Sequence, residues 1–142
     1  MRLVRLALGI ACAAALQSAS LLAAQHGDDP FAIEPRVENG VPFATGGVGK
    51  DQRETLLSLA HNFNLKLVFA LVDHRAFLTD VHVRILDPAG KEMFTTTGAG
   101  PWLYAKLPPG KYRVAATIRG RTLEKTTEIT EQGRTTELAF YW

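Results

Sequence analysis

The most constraining feature of this chain is a Pro-Pro-Gly segment at residues 108–110 that stands between two stretches of alternating apolar residues. Proline presets φ for the first central position of a tight turn, and glycine accepts the positive φ that a type II turn needs next. Apolar residues with a period of two lie on one face of a β-strand. Here they are Leu103, Ala105, Leu107, Tyr112, Val114, Ala116 and Ile118. The segment is therefore predicted to be a β-hairpin in an all-β protein.

The first 24 residues have the three-part pattern of a secretory signal peptide. Arg2 and Arg5 form a short basic start, an alanine-rich apolar run covers residues 6–16, and small residues follow as far as Ala24. The run ends before it reaches the roughly 20 apolar residues that cross a bilayer. We therefore expect an exported protein with no membrane span once the signal peptide is removed.

The charge of the remaining residues, 25–142, limits which partners are expected, and their cysteine content shows how the exported chain must be stabilised. The whole chain has 16 Lys and Arg against 14 Asp and Glu, so loss of Arg2 and Arg5 leaves 14 of each. A neutral chain gives no reason to expect nucleic acid or an anionic membrane as a partner. The single cysteine, Cys12, lies in the signal peptide. The exported chain therefore depends on one hydrophobic core, without an intrachain disulfide.

Between the signal peptide and the strands lie a leader and a helix. Residues 25–50 are rich in glycine and proline and are expected to form a flexible leader along the domain surface, with a partner-docking arm as the alternative. Residues 51–63 are predicted to form an amphipathic helix, capped by Asp51 with Glu54 reaching back to it. A helix this short is marginal alone, so we expect its stripe to pack on the outer face of a sheet. The stripe consists of Leu56, Leu59, Ala60 and Phe63.

Residues 64–142 contain seven predicted strands separated by frequent Gly, Pro and Asp turn signals. They begin near Leu65, Val81, Met93, Trp102, Tyr112, Thr122 and Thr135. Many short strands with regular turns are typical of a β-sandwich. The expected fold is therefore mainly β: a seven-stranded Greek-key-like sandwich, preceded by one short amphipathic helix and a signal peptide.

Two segments of this region resemble a known family. Residues 81–91 read VHVRILDPAGK, and residues 107–114 read LPPGKYRV. They are similar to the carboxypeptidase-regulatory-like domains, which have a transthyretin-type (prealbumin-like) β-sandwich. Residues 64–70, after the helix, also resemble small periplasmic proteins of Gram-negative bacteria that carry such a domain. The resemblance covers residues 64–142 and implies a periplasmic, non-catalytic module of the kind often attached to enzymes, adhesins or outer-membrane receptors.

Residues suited to catalysis or metal binding are few. Ser58, on the predicted helix, is the last serine of the chain, so a hydrolytic triad is not expected. His61, His74 and His82 lack the spacing of metal ligands, and we expect them to be surface histidines. A Lys–Asn crosslink from Lys66 would need an Asn or Asp on the last strand, which has neither. We predict no enzyme activity, no metal and no cofactor.

The best candidate binding surface is the face of the fourth predicted strand that turns away from the core, together with basic residues expected on the strand paired with it. Its members are Trp102, Tyr104, Lys106, Arg113 and Arg119. Aromatic rings beside basic groups suit a sugar ring or an acidic segment of a partner. The favoured alternative is that Trp102 and Tyr104 receive the apolar stripe of the helix, which otherwise has nothing to pack on.

The sequence therefore predicts a periplasmic binding or structural accessory module that acts on another envelope protein. A carbohydrate-binding module that uses the aromatic face is the alternative. An enzyme is the third and least favoured possibility.

Overall fold

The architecture follows from a computed structural model, which describes residues 32–73 and 76–142. In these residues nine strands form two sheets, and one α-helix lies outside them. The strands are β1 (Arg36–Glu38), β2 (Val41–Gly46), β3 (Leu65–Ala70), β4 (Val81–Leu86), β5 (Glu92–Ala99), β6 (Trp102–Ala105), β7 (Gly110–Ile118), β8 (Arg121–Ile129) and β9 (Thr136–Tyr141). The predicted mainly β fold is confirmed, whereas the predicted signal peptide lies outside the described residues.

The two sheets differ in strand order and direction. Sheet one has the order β1-β2-β6-β3-β9, and its pairs are antiparallel except for β3 and β9, which run parallel. Sheet two has the order β5-β4-β7-β8 and is antiparallel throughout. The inner faces of both sheets contribute to one hydrophobic core, in which Phe43 of sheet one meets Phe94 of sheet two edge to face at 5.0 Å between ring centroids.

The Pro-Pro-Gly segment connects the two sheets, so the predicted hairpin is wrong. β6 pairs with β2 and β3, whereas β7 pairs with β4 and β8. The φ of Gly110 is 154°, far from the value of about 80° that a type II turn requires. A hairpin within one sheet and a connection between two sheets bury the same alternating residues, such as Leu103 and Val114. The apolar pattern therefore does not distinguish the two arrangements.

Two hydrogen-bonded side chains hold this connection in place. The buried amide of Asn64 donates to the Leu107 carbonyl at 2.8 Å and accepts from the Leu107 N–H at 2.9 Å. The Tyr112 hydroxyl donates to the Pro108 carbonyl at 2.7 Å. Burial, and to a smaller extent the Asp87 carboxylate, raises the pKa of the Tyr112 phenol, which favours this donating form.

Residues 36–46 form a strand pair, so the expectation of a flexible leader is wrong for them. β1 and β2 are joined at Asn39 and Gly40, whose φ values of 50° and 79° suit a type I′ hairpin turn. Val41 and Phe43 of β2 belong to the core. This pair brings the number of strands in the described residues to nine instead of seven. An Asn-Gly pair followed by alternating apolar residues is a hairpin signal, which the surrounding glycines and prolines obscured.

The helix forms where it was predicted, but its start is different. α1 spans Lys50–Leu59 and continues as a 3-10 turn over Ala60–Asn62. The N-cap is Gly49 and no side chain caps it, so the predicted capping box at Asp51 is wrong. The Gln52 side-chain oxygen instead accepts from the N–H groups of residues 47 and 48, each at 3.0 Å. Neither helical element of the described residues is long and apolar enough to cross a membrane.

Candidate functional site

The outer face of sheet one carries a second hydrophobic cluster, separate from the core between the sheets. Leu56 of α1 is fully buried there against β2 and β6, together with Phe63 and Tyr104, whose ring centroids are 6.0 Å apart. Leu59 and Ala60 pack at its margin, so the predicted apolar stripe of the helix is confirmed. Tyr104 lies under the helix with 2% of its surface exposed. Its side chain therefore packs against the apolar stripe of the helix and is not available to a ligand.

The five residues proposed from the sequence do not form one site. Trp102 is half-buried at the margin of the helix cluster, beside the buried Tyr104. Lys106 is exposed at the end of the sandwich, next to a shallow cleft. Arg113, on β7, and Arg119, in the turn after it, belong to the other sheet. The expected neighbourhood depended on pairing between β6 and β7, which the structure contradicts.

A different group of apolar side chains lies together on the outer face of sheet one, around β3 and β9. Cross-strand register places Val68 beside Trp102 on one side and beside Ala139 on the other. An isolated bridge pairs Phe77 with Ala70, so both side chains lie on this face, and Phe77 is 50% exposed. We call this surface the open face. It consists of Val68, Phe77, Trp102, Ala139 and Tyr141.

An ion pair closes one end of the open face. The Lys66 ammonium lies 2.8 Å from a Glu137 carboxylate oxygen and 4.4 Å from the centroid of the Trp102 ring. The Lys66 side chain is only 18% exposed, so this ammonium is partly desolvated between the carboxylate and the indole. Burial raises the pKa of the neighbouring Tyr104 phenol; Lys66 opposes this rise and Glu137 adds to it.

A second cation connects the helix to the open face. The Arg53 guanidinium donates to the Gly47 carbonyl at 3.0 Å and lies 5.9 Å from the centroid of the Phe77 ring. The contact brings α1 close to Phe77, in the connection between β3 and β4. The result is a slightly cationic, largely apolar surface with aromatic rings, a composition that is common where proteins bind other proteins.

The other candidate groups make local contacts. A His82 ring nitrogen lies 3.2 Å from the Thr95 hydroxyl, and a His61 ring nitrogen lies 2.9 Å from the Ser58 carbonyl. His74 lies outside the described residues. In residues 32–73 and 76–142, no three His, Cys, Asp or Glu side chains are placed to hold a metal ion.

Sequence reasoning missed most of the open face. Of its members, only Trp102 is among the residues that the sequence predicts as a binding surface. Val68 and Ala139 are apolar residues at outward positions of β3 and β9. The sequence contains this pattern, but the two residues become neighbours only through the parallel pairing of the two strands. No protein-family model matches this chain, and no curated protein is significantly similar to it.

Proposed function

We propose that this protein is an exported, non-catalytic binding module of a bacterial cell envelope, and that its open face docks on another envelope protein. Residues 1–24 are its signal peptide, and residues 64–142 are a carboxypeptidase-regulatory-like sandwich of the prealbumin type. β1 and β2 extend that sandwich at its N-terminal side. The two-sheet, mainly β architecture supports this proposal, and the resemblance implies a non-catalytic module.

The observation that carries the proposal is the open face itself. Phe77 and Tyr141 are 50% and 38% exposed, and the next residues along the connection after β3 are also exposed, Leu71 at 37% and Val72 at 65%. Large apolar side chains that lie together on a folded surface mark an interaction site, because scattered ones are common but contiguous ones are not. The nearby Lys66 and Arg53 provide hydrogen-bond donors at its margin, as in a protein interface with a polar rim.

Carbohydrate binding is the alternative function, and Trp102 is the residue that decides between the two. A sugar ring needs one open face of an aromatic ring. The Trp102 side chain is half-buried against the helix cluster, and the Lys66 ammonium lies over its ring at 4.4 Å. These contacts reduce the ring area available for stacking, so a protein partner is favoured over a glycan.

Photo-crosslinking in living cells tests the proposal. A benzophenone amino acid at Phe77 places a reactive ring on the open face, and the same residue at Thr126 places it on the exposed outer face of sheet two. We expect the Phe77 position to give one discrete crosslinked envelope protein and the Thr126 position to give none. Purified partner should then bind wild-type protein at least about tenfold more tightly than the F77S variant.

Three outcomes would contradict the proposal. Equal crosslinking from both positions indicates non-specific contact, and crosslinking only from Thr126 indicates the wrong sheet. A change in Trp102 fluorescence with envelope glycans, without protein crosslinks, would favour the carbohydrate alternative.

A further inference from the structure

We infer that β9 pairs with β9 of a second copy of this chain, so that the two copies form a dimer with a continuous sheet one. This inference does not depend on the proposed function. β9 lies at the end of sheet one, with β3 on one side and no strand of the described residues paired on the other. An edge strand presents backbone donors and acceptors that another strand can bind.

The direction of those backbone groups follows from the hydrogen bonds at the two ends of β9. Thr136 donates to the Asn64 carbonyl at 2.9 Å, and Trp142 donates to the Ala70 carbonyl at 3.1 Å. Even-numbered residues of β9 therefore direct their N–H and C=O groups toward β3. Because these groups alternate along a strand, those of Glu137 and Ala139 point to the far side.

The other sheet edges are protected against pairing. β1 has three residues, and β5 pairs irregularly with β4, with two shifts of register. On β8, Lys125 points inward to a position 5.6 Å from the Phe140 ring. Short strands, irregular register and inward-pointing charges all hinder strand addition. β9 has no proline and a single charged residue, Glu137, so it lacks these protections.

The residues of β9 favour a second copy as the occupant. An antiparallel pair related by a two-fold axis through Ala139 places Ala139 opposite itself, and its outward N–H and C=O groups then bond reciprocally. Glu137 lies opposite Tyr141 of the other copy in this register, and Leu138 lies opposite Phe140. No like charges meet, and the residue on the axis has a small side chain.

The same operation brings like charges together at four positions of β8. A two-fold axis through Glu124 or Lys125 places that charge against its own copy. An axis through Leu123 opposes Arg121 to Lys125, and an axis through Thr126 opposes Glu124 to Glu128. Like charges directly opposite each other destabilise a strand pair. These four registers are therefore disfavoured on β8. The inward-pointing Lys125 hinders strand addition in the other registers, so β9 is favoured for self-association.

The dimer would also cover apolar surface. Leu138 and Trp142 pack against the core but are only partly buried, because they lie at the edge of sheet one that β9 forms. A two-fold axis perpendicular to the sheet keeps outer faces on the same side, so the two open faces become neighbours. The assembly would present two identical open faces side by side.

Sedimentation equilibrium of the purified protein, with charge variants at Ala139, tests the inference. An interface of two short strands is small, so we expect a monomer–dimer equilibrium with a Kd on the order of micromolar. A139E and A139K each oppose like charges across the axis and should weaken dimerisation by at least about tenfold. An equimolar mixture of the two should recover it, because Glu then faces Lys.

T126E and T126K are the matched controls, since they add the same two charges at an exposed position on sheet two and should leave the Kd unchanged. Circular dichroism of each variant establishes that it folds, and recovery on mixing cannot come from unfolded chains. A monomer at every concentration up to about 1 mM would overturn the inference. So would a dimer that is insensitive to A139E and A139K, or one that mixing does not restore.

Discussion

The two outer faces of the sandwich differ in what they present to solvent. The outer face of sheet one carries the helix cluster and the open face, both rich in aromatic and aliphatic side chains. The outer face of sheet two carries threonines and charged residues, with a Thr117–Thr122 hydroxyl pair at 2.7 Å and an Arg84–Glu92 ion pair at 2.8 Å. An antiparallel sheet commonly packs one face on the core and leaves the other solvated. Sheet two follows this pattern, whereas sheet one departs from it and is the layer on which function is expected.

The largest expected effect on stability comes from the helix cluster on the outer face of sheet one. Leu56 is fully buried, and the adjacent Leu57 of the same helix is 56% exposed. We expect L56A to lower the free energy of unfolding by about 3 kcal/mol and L57A to change it by less than about 0.5 kcal/mol. Urea unfolding measures both. Equal effects would mean that α1 is not packed on sheet one.

A smaller difference is expected between the two ion pairs. Lys66 is 18% exposed and also contacts the Trp102 ring, whereas Arg84 is 48% exposed. K66M removes the partly desolvated cation and should lower the free energy of unfolding by about 1 kcal/mol. R84M on sheet two should cost less than about 0.5 kcal/mol, because solvent screens an exposed pair. Urea unfolding of both variants at low and high salt checks this order. The prediction is contradicted if added salt reduces the destabilisation by K66M more than the destabilisation by R84M.

The helix cluster also predicts a pH dependence. Burial raises the pKa of the Tyr104 phenol above that of the unfolded chain, so the folded state favours the neutral form. Its contribution to stability is fully present below the ordinary tyrosine pKa of about 10 and is lost as the pH rises further. The free energy of unfolding should therefore fall less steeply above pH 10 in Y104F than in wild type. Identical slopes from urea unfolding would show that Tyr104 is not desolvated.

The smallest effect is expected on the outer face of sheet two. The hydroxyl pair of Thr117 and Thr122 is exposed, and water can replace each partner. Valine keeps the branched shape that suits a strand. We expect T122V to change the free energy of unfolding by less than about 0.5 kcal/mol. A loss above about 1 kcal/mol would mean that water does not replace the hydroxyl pair.

Much of the fold was predictable from local patterns. The alternation of apolar residues located β3, β4 and β5, and the apolar stripe located α1 and the sheet face that it covers. The strand pair β1–β2 was missed because glycines and prolines dominate its surroundings, although the Asn39-Gly40 turn signals it. The candidate site was predicted less well. Trp102 belongs to the open face, but Arg113 lies on the other sheet and Arg119 lies in the turn after β7.

By itself, the sequence determined which side of each strand turns inward, because an apolar residue at every second position has one low-energy orientation. It also determined that α1 needs a sheet face, because a short amphipathic helix is unstable alone. Only the tertiary structure decided which strands are neighbours. Backbone hydrogen bonds are chemically the same for any pair of strands, and the Pro-Pro-Gly segment fits a connection within a sheet or between sheets. The open face exists only because β6, β3 and β9 lie side by side, a placement that no single stretch of the sequence encodes.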